Sequence, residues 1–321
     1  MIARPAAVAL LIFLSLTTAS AAERDVRGWL HGMVDSVRTL NYQGTFVSLH
    51  DNQLESMQII HSVDSGGEKE HLISLNGAAR EVVRDDASVT CISPDVKSIS
   101  VSRRDGGGGF KAVFSMDVEQ LTELYDFRLL QKVRVAGREA QGIAILPKDG
   151  YRYGYRIFLD TGNLLPLKTD MLNSSGVAVS QIMFTSLQVD PEPVDLVRES
   201  IDGRENYDLV QREPGRASTE LDAGGWKFRM LPNGFKVRFS AKMPAEGGGE
   251  PVQHFVLSDG LASLSLYIES TVRGRGLMGA STMGAVNAFG QVSGSHQIIA
   301  VGAVPALTVE TVAGAVVPAS Q

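Results

Sequence analysis

The sequence predicts an α+β protein, mostly antiparallel β, in which a large domain is followed by a smaller one. Three observations carry this. Between Tyr151 and Asp190, runs rich in aromatic and β-branched residues (YRYGYRIFLD, LLPLKTDMLN, VAVSQIMFTSLQVD) are broken by TGN and SSG. That is the pattern of consecutive antiparallel strands joined by tight turns. Helical apolar spacing stands out at Arg24–Leu40 and after Pro305. Finally, Pro191, Pro193, Pro214 and Gly215 sit among charged residues of little periodicity between Pro191 and Leu221, which marks a boundary. A chain of 321 residues agrees with two domains at a prior of ~150 residues each.

Composition narrows the function classes. A hydrophobic fraction of 44% supports a packed core, and 33 glycines suit a loop-rich β protein. The net charge of −6, with no long basic run, argues against nucleic acid as a partner.

Residues 1–22 read as a secretory signal peptide. Arg4 supplies the positive start, Ala6 to Leu16 the apolar stretch, and Ala19-Ser20-Ala21 the small-residue cleavage site. Cleavage is expected after Ala21 or Ala22. Without Arg4 the chain keeps 29 basic against 36 acidic residues, a charge near −7. No later apolar run reaches the ~18 residues that a membrane span needs, and no Cys follows the apolar stretch to take a lipid anchor. The expectation is a soluble, exported protein of the bacterial periplasm. Cys91 is the single cysteine, so no intramolecular disulfide forms; it reads as a buried small hydrophobe sharing a strand face with Val89.

In chain order, Val26, Trp29, Leu30, Met33, Val34 and Val37 make Arg24–Leu40 an amphipathic helix. Strands are expected at Tyr42–Leu49, Gln53–Val63, His71–Leu75, Ala79–Arg84, Val89–Ser93 and Lys97–Arg103. Asn76-Gly77 reads as a hairpin turn with positive φ at both central residues. Asp105 to Gly109 is a glycine loop expected to be mobile, flanked by Arg103, Arg104, Phe110 and Phe114. Asp117 caps a short helix, Val118–Tyr125, and strands follow at Phe127–Val135 and Gln141–Leu146. Within Tyr151–Leu159 the odd positions Tyr151, Tyr153, Tyr155, Ile157 and Leu159 form one apolar face, with Arg152 and Arg156 opposite. The Pro-rich segment is a linker with a short helix near Pro193–Asp202. Beyond it come a strand, a turn at Pro232-Asn233-Gly234 and a second strand. A hairpin follows with its turn at Ser258-Asp259-Gly260, then strands at Gly284–Gly290 and His296–Val301. A last helix opens at Pro305, with Leu307, Val309 and Val312 as its apolar positions.

Catalytic signatures are missing from the sequence. The six histidines form no H-E-x-x-H or other close ligand set, and His61 and His71 read as structural residues. There is no G-x-S-x-G elbow. Gly274 to Gly279 matches G-x-G-x-x-G but lacks a following helix and the acid about 20 residues on that a dinucleotide site requires. It reads as a flexible loop. No cofactor and no metal are expected, and the chain is not read as an enzyme.

The segments LNYQGTFV (Leu40–Val47), GYRIFLDTGNLLPLK (Gly154–Lys168), W-x-F-x-x-LPNGF (Trp226–Phe235), HFVLSDGLASLSLYIE (His254–Glu269) and GAVNAFG, in this order, resemble the RseB/MucB family of periplasmic negative regulators of the extracytoplasmic-stress sigma factor. The resemblance implies a large domain like the lipoprotein carriers, an unclosed barrel with helices across its concave side, at residues 23–205. A linker at 206–222 and a partner-binding α+β domain at 223–321 complete the chain. It implies binding to the periplasmic part of a membrane-spanning anti-sigma factor, shielding of that factor from proteolysis, and release by acyl lipid or lipopolysaccharide. A homo-oligomer is compatible with it. For the lipid face the candidates are Met57, Ile59, Phe110, Phe114, Tyr153 and Ile157. For the partner face they are Tyr207, Trp226, Phe235, Arg238 and Phe255. A lipid or lipoprotein carrier or chaperone, and an esterase, are the rival readings. The carrier would not need the second domain, and the esterase would turn over a chromogenic ester.

Overall fold

Asp25 starts the first helix. Its Oδ1 accepts the Gly28 amide at 2.7 Å, satisfying one of the free N–H groups of α1 (Val26–Thr39). The computed structural model describes residues 25–65, 67–103, 116–191, 204, 206–212, 216–217, 225–244, 249–271 and 277–319. The signal peptide expected at 1–22, the expected glycine loop with Phe110 and Phe114, and the short helix expected at 193–202 lie outside these residues. No helix among the described residues is long and apolar enough to cross a membrane.

The chain then forms β1 (Tyr42–His50), β2 (Gln53–Asp64), β3 (Gly67–Ser74), β4 (Glu81–Arg84), β5 (Ser88–Ser93) and β6 (Ser98–Arg103). After α2 (Val118–Leu121) come β7 (Tyr125–Val135), β8 (Arg138–Pro147), β9 (Gly154–Asp160), β10 (Pro166–Leu172), β11 (Ala178–Val189) and β12 (Asp208–Arg212). They make one twelve-stranded sheet in the order β12-β6-β5-β4-β3-β2-β1-β11-β10-β9-β8-β7. Every pairing is antiparallel except β12 with β6. β1 joins β11 in the middle, while β7 and β12 remain unpaired edges, so the sheet does not close into a barrel. Trp29, Leu30, Met33 and Val37 of α1 form a buried stripe over Tyr42, Phe46, Ile59, Ile143, Ile145, Tyr155, Ile157 and Phe184. Leu30 and Met33 are fully buried, each worth about 1.5–3 kcal/mol of apolar burial.

The second unit begins with β13 (Arg216–Ala217) and β14 (Trp226–Phe228). β15 (Lys236–Met243), β16 (Val252–Ser258), β17 (Ser263–Ser270), β18 (Gly279–Met283), β19 (Val286–Ser293) and β20 (His296–Gly302) follow, then α3 (Ala306–Ala315) and β21 (Val316–Pro318). The sheet order is β13-β15-β16-β17-β20-β19-β18, with α3 packed on β19 and β20. Alternation sets its inner face: Phe255 and Leu257 on β16, Leu264, Leu266 and Ile268 on β17, all under Val309 and Val312 of α3.

Several expectations need correction. Asn76-Gly77 is not the tight hairpin: Gly77 has φ +73 but Asn76 has no positive φ. Its side chain instead accepts the Ser56 amide and donates to Leu54 O. The two-residue turns with both φ positive are Asp51-Asn52 and Ala136-Gly137, where His50 faces Gln53 and Val135 faces Arg138. The apolar face expected to run from Tyr151 begins only with β9; Tyr151, Arg152 and Tyr153 form the loop before it. The short helix stops at Leu121, and Tyr125 already belongs to β7. The segment read as linker contributes β12 to the large sheet. β14 pairs with β21 rather than with β15, and β18 occupies the end of the glycine-rich motif. Leu307 is exposed at 49%, its place on the packed face being taken by Thr308. Cys91 is half-buried.

Candidate functional site

The two units meet where Asp149–Tyr153 runs against the turns of the second sheet. The Arg152 side chain is fully buried there. Its Nη2 donates to Asn233 O at 2.5 Å. Nε lies 3.1 Å from Asp259 Oδ2 and Nη1 3.4 Å from Asp149 Oδ2, ion-pair contacts without hydrogen-bond alignment. The guanidinium stands 5.6 Å from the Tyr125 ring centroid and 5.2 Å from that of Phe235, within range of cation–π attraction. The Tyr125 hydroxyl donates to Asp259 Oδ2 at 3.1 Å. Burial first, and then the Asp259 charge, hold the Tyr125 hydroxyl far above its ordinary pKa, so it stays a donor.

Two more polar contacts cross the same seam. Asn287 Nδ2, held within the second unit by Val304 O at 2.7 Å, donates to the Tyr153 hydroxyl at 3.0 Å, and Thr308 Oγ1 donates to Tyr151 O at 2.6 Å. Gly234 has φ +83, and a Cβ there would come within 2.5 Å of Leu124 Cδ1, so both conformation and space demand glycine. A buried arginine is tolerable here because its charge is met on several sides, by two carboxylates, a carbonyl and two aromatic rings. The geometry is therefore a latch between the units.

The candidate lipid face lies on the inner side of the large sheet. Ile59 on β2 and Ile157 on β9 are fully buried in one continuous core cluster, and Met57 is half-buried against it. Val82, Met171 and Ile182 are likewise half-buried and extend the same cluster to the surface. Tyr153 sits apart, in the latch. Thus Met57, Ile59 and Ile157 belong to one extended cluster, with β1, β11 and β10 lying between β2 and β9, and Tyr153 stands elsewhere.

Of the partner-face candidates, Trp226, Phe235 and Phe255 are buried in the core of the second unit. Arg238 is exposed at the β15 bulge between Val237 and Phe239, and Tyr207 is half-buried beneath Arg204 at the β12 edge. The surface of that sheet facing away from α3 carries instead the next residues in register: Phe239, His254, Val256, Tyr267, Ile299 and Val301, all half-buried. His254 stacks on Tyr267 with ring centroids 4.4 Å apart and planes 6° apart, and its Nε2 is 3.1 Å from Ser265 Oγ. Burial lowers the His254 pKa, favouring the neutral ring. Sequence reading also missed Arg152 and Asp259. They looked like a solvent-facing strand residue and a turn residue, and no local pattern links positions so far apart.

Models of the MucB/RseB N-terminal domain and C-terminal domain match residues 25–205 and 220–317. The sigma factor AlgU regulatory protein MucB of Pseudomonas aeruginosa is 31% identical over 96% of each chain. The sigma-E factor regulatory protein RseB of Haemophilus influenzae is 27% identical over 95% of each. Among solved structures, a chain of the Pseudomonas aeruginosa MucA/MucB complex matches with a TM-score of 0.72 and 30% identity, covering 92% of this chain and 99% of that one.

Proposed function

The chain belongs to the MucB/RseB family, and from that premise we propose that it is a periplasmic regulator of an envelope-stress sigma factor. It binds the periplasmic part of a membrane-spanning anti-sigma factor, shields it from the protease that starts the response, and is released by acyl lipid or lipopolysaccharide. One observation carries this reading: the likeness to a chain of the MucA/MucB complex extends over both units, which a carrier built from the large unit alone would not require.

In this reading Met57, Ile59 and Ile157 belong to the lipid face, with Phe110 and Phe114 as further candidates from sequence. The partner meets the second unit, at Arg238 and the half-buried surface around His254 and Tyr267, with Tyr207 beside the large sheet. Trp226, Phe235 and Phe255 support that surface from beneath. The Asn287, Arg152 and Thr308 contacts tie the two ligand sites mechanically.

Lipid and partner are coupled through states that each ligand favours differently, and the coupling is reciprocal. A tenfold to hundredfold effect corresponds to about 1.4–2.8 kcal/mol. The test is a calorimetric titration of the full chain with the anti-sigma periplasmic domain, with and without lipopolysaccharide. Affinity is expected to fall at least about tenfold with lipid. Equal affinities in the two titrations refute the coupling, and no binding in either refutes the regulator.

A further inference from the structure

The turn between β16 and β17 belongs to the second unit by chain and to the first by packing. Leu261, near its tip, is 9% exposed and lies in the core cluster of the large sheet with Leu121, Leu124 and Tyr125. It is the one side chain of the second unit in that cluster among the described residues. The approach is close: a Cβ on Gly260 would stand 3.8 Å from Leu121 Cδ2. Asp259 controls both ends of the arrangement. Its Oδ1 accepts the Leu261 and Ala262 amides at 2.8 and 2.7 Å, shaping the turn. Its Oδ2 meets the Tyr125 hydroxyl and Arg152 Nε, each at 3.1 Å, fastening the turn to the large unit. The same cluster also contains Ile143, Ile145, Tyr155 and Ile157 and, across β10, β11 and β1, Ile59.

We infer that Leu261 is a removable plug. Its seat against Leu121, Leu124 and Tyr125 is a site for a single saturated acyl chain, filled in this state by the protein's own leucine. The inference rests on the proposal that acyl lipid occupies the inner face, and it names where lipid acts on the second unit. To such a seat a leucine side chain and an alkyl chain are alike: both are hydrocarbon, held by the area they remove from water. Close packing makes occupancy exclusive, because an interior has no room for both. An entering chain therefore lifts the turn and draws Asp259 away from Tyr125 and Arg152. By reciprocity, whatever presses the second unit onto the first weakens lipid binding by the same factor.

The experiment is a fluorescence titration of the full chain with dansyl-labelled undecanoic acid, with a melting curve for each variant. Leu261→Ala shortens the plug and should tighten binding about three- to tenfold, because more of the protein is competent before ligand arrives. Leu261→Met refills the seat and should bind as wild type does. Asp259→Asn loosens the turn without altering the seat and should shift affinity in the same direction as Leu261→Ala, which keeps the idea testable if Leu261→Ala does not fold. If wild type binds the probe and neither Leu261→Ala nor Asp259→Asn changes its affinity, the plug is refuted and the lipid reading stands. If wild type does not bind the probe, both are refuted.

Discussion

The latch between the units and the free edge of β7 are made of the same kinds of side chain in opposite surroundings. In the latch, Arg152 is fully buried between Asp149 and Asp259 and between the rings of Tyr125 and Phe235. Along β7, residues 128–134 are all exposed; Lys132 reaches Glu139 at 3.5 Å with both side chains more than half exposed, and Arg128 and Arg134 also face solvent. A bulge there, with Leu130 and Gln131 opposite Gly142, turns the strand. Cations and a bulge protect an unpaired edge from joining another sheet. The difference teaches that charge acts structurally only where water is excluded. In the latch each polar group depends on a named partner, whereas on the edge water substitutes for any that is lost.

That contrast can be broken by mutation. Asp259→Ala, which leaves Arg152 buried without its main counter-charge, should destabilise the fold by about 3–5 kcal/mol. Chemical denaturation measures this, and a loss below about 1 kcal/mol would mean that water reaches the latch. Tyr125→Phe removes one hydrogen bond to a buried carboxylate and should cost about 1.5–3 kcal/mol in the same assay.

A half-buried group should fall between the extremes. His254 has its pKa lowered by burial, so the unfolded chain binds more protons than the folded one between the two values. Stability should therefore fall as pH drops through about 6.5, the ordinary histidine value, and level off below the folded-state pKa. His254→Phe should flatten that part of a stability–pH curve; an unchanged slope would assign the dependence to other groups. The smallest effect is expected at the edge. Reversing Arg128, Lys132 and Arg134 to Glu together should change stability by no more than about 0.5 kcal/mol per site. A larger loss would show that the edge is not governed by water as described.

Much of this protein was legible in its sequence because the signals were local. Strand alternation in VQHFVLSDGLASLSLYIES placed β16, β17 and their turn, and the helical stripe from Trp29 to Val37 placed α1 and its buried face. Asp117 caps α2 as its place before Val118 foretold. That Ile59 and Ile157 point into the core of the large sheet was readable in the same way, since both lie on apolar strand faces. The misses have local causes of a different kind. Asn76 looked like a tight-turn residue but spends its amide on the β2 backbone. Tyr151 and Tyr153 fit a strand period, yet their carbonyl and hydroxyl are claimed by Thr308 and Asn287. Trp226, Phe235 and Phe255 were placed on the wrong side because alternation tells which residues share a face, not which face meets water.

By itself, then, the sequence determined the class of the fold, the order of most elements and the family pattern, all of which depend on neighbours a few positions apart. Only the tertiary structure decided that β1 pairs with β11, that the supposed linker adds β12 to the sheet, and that Arg152 and Leu121 meet Asp259 and Leu261. Those contacts join segments more than a hundred residues apart. Their stability comes from excluding water once the chain is assembled, and no period or spacing along the chain encodes that.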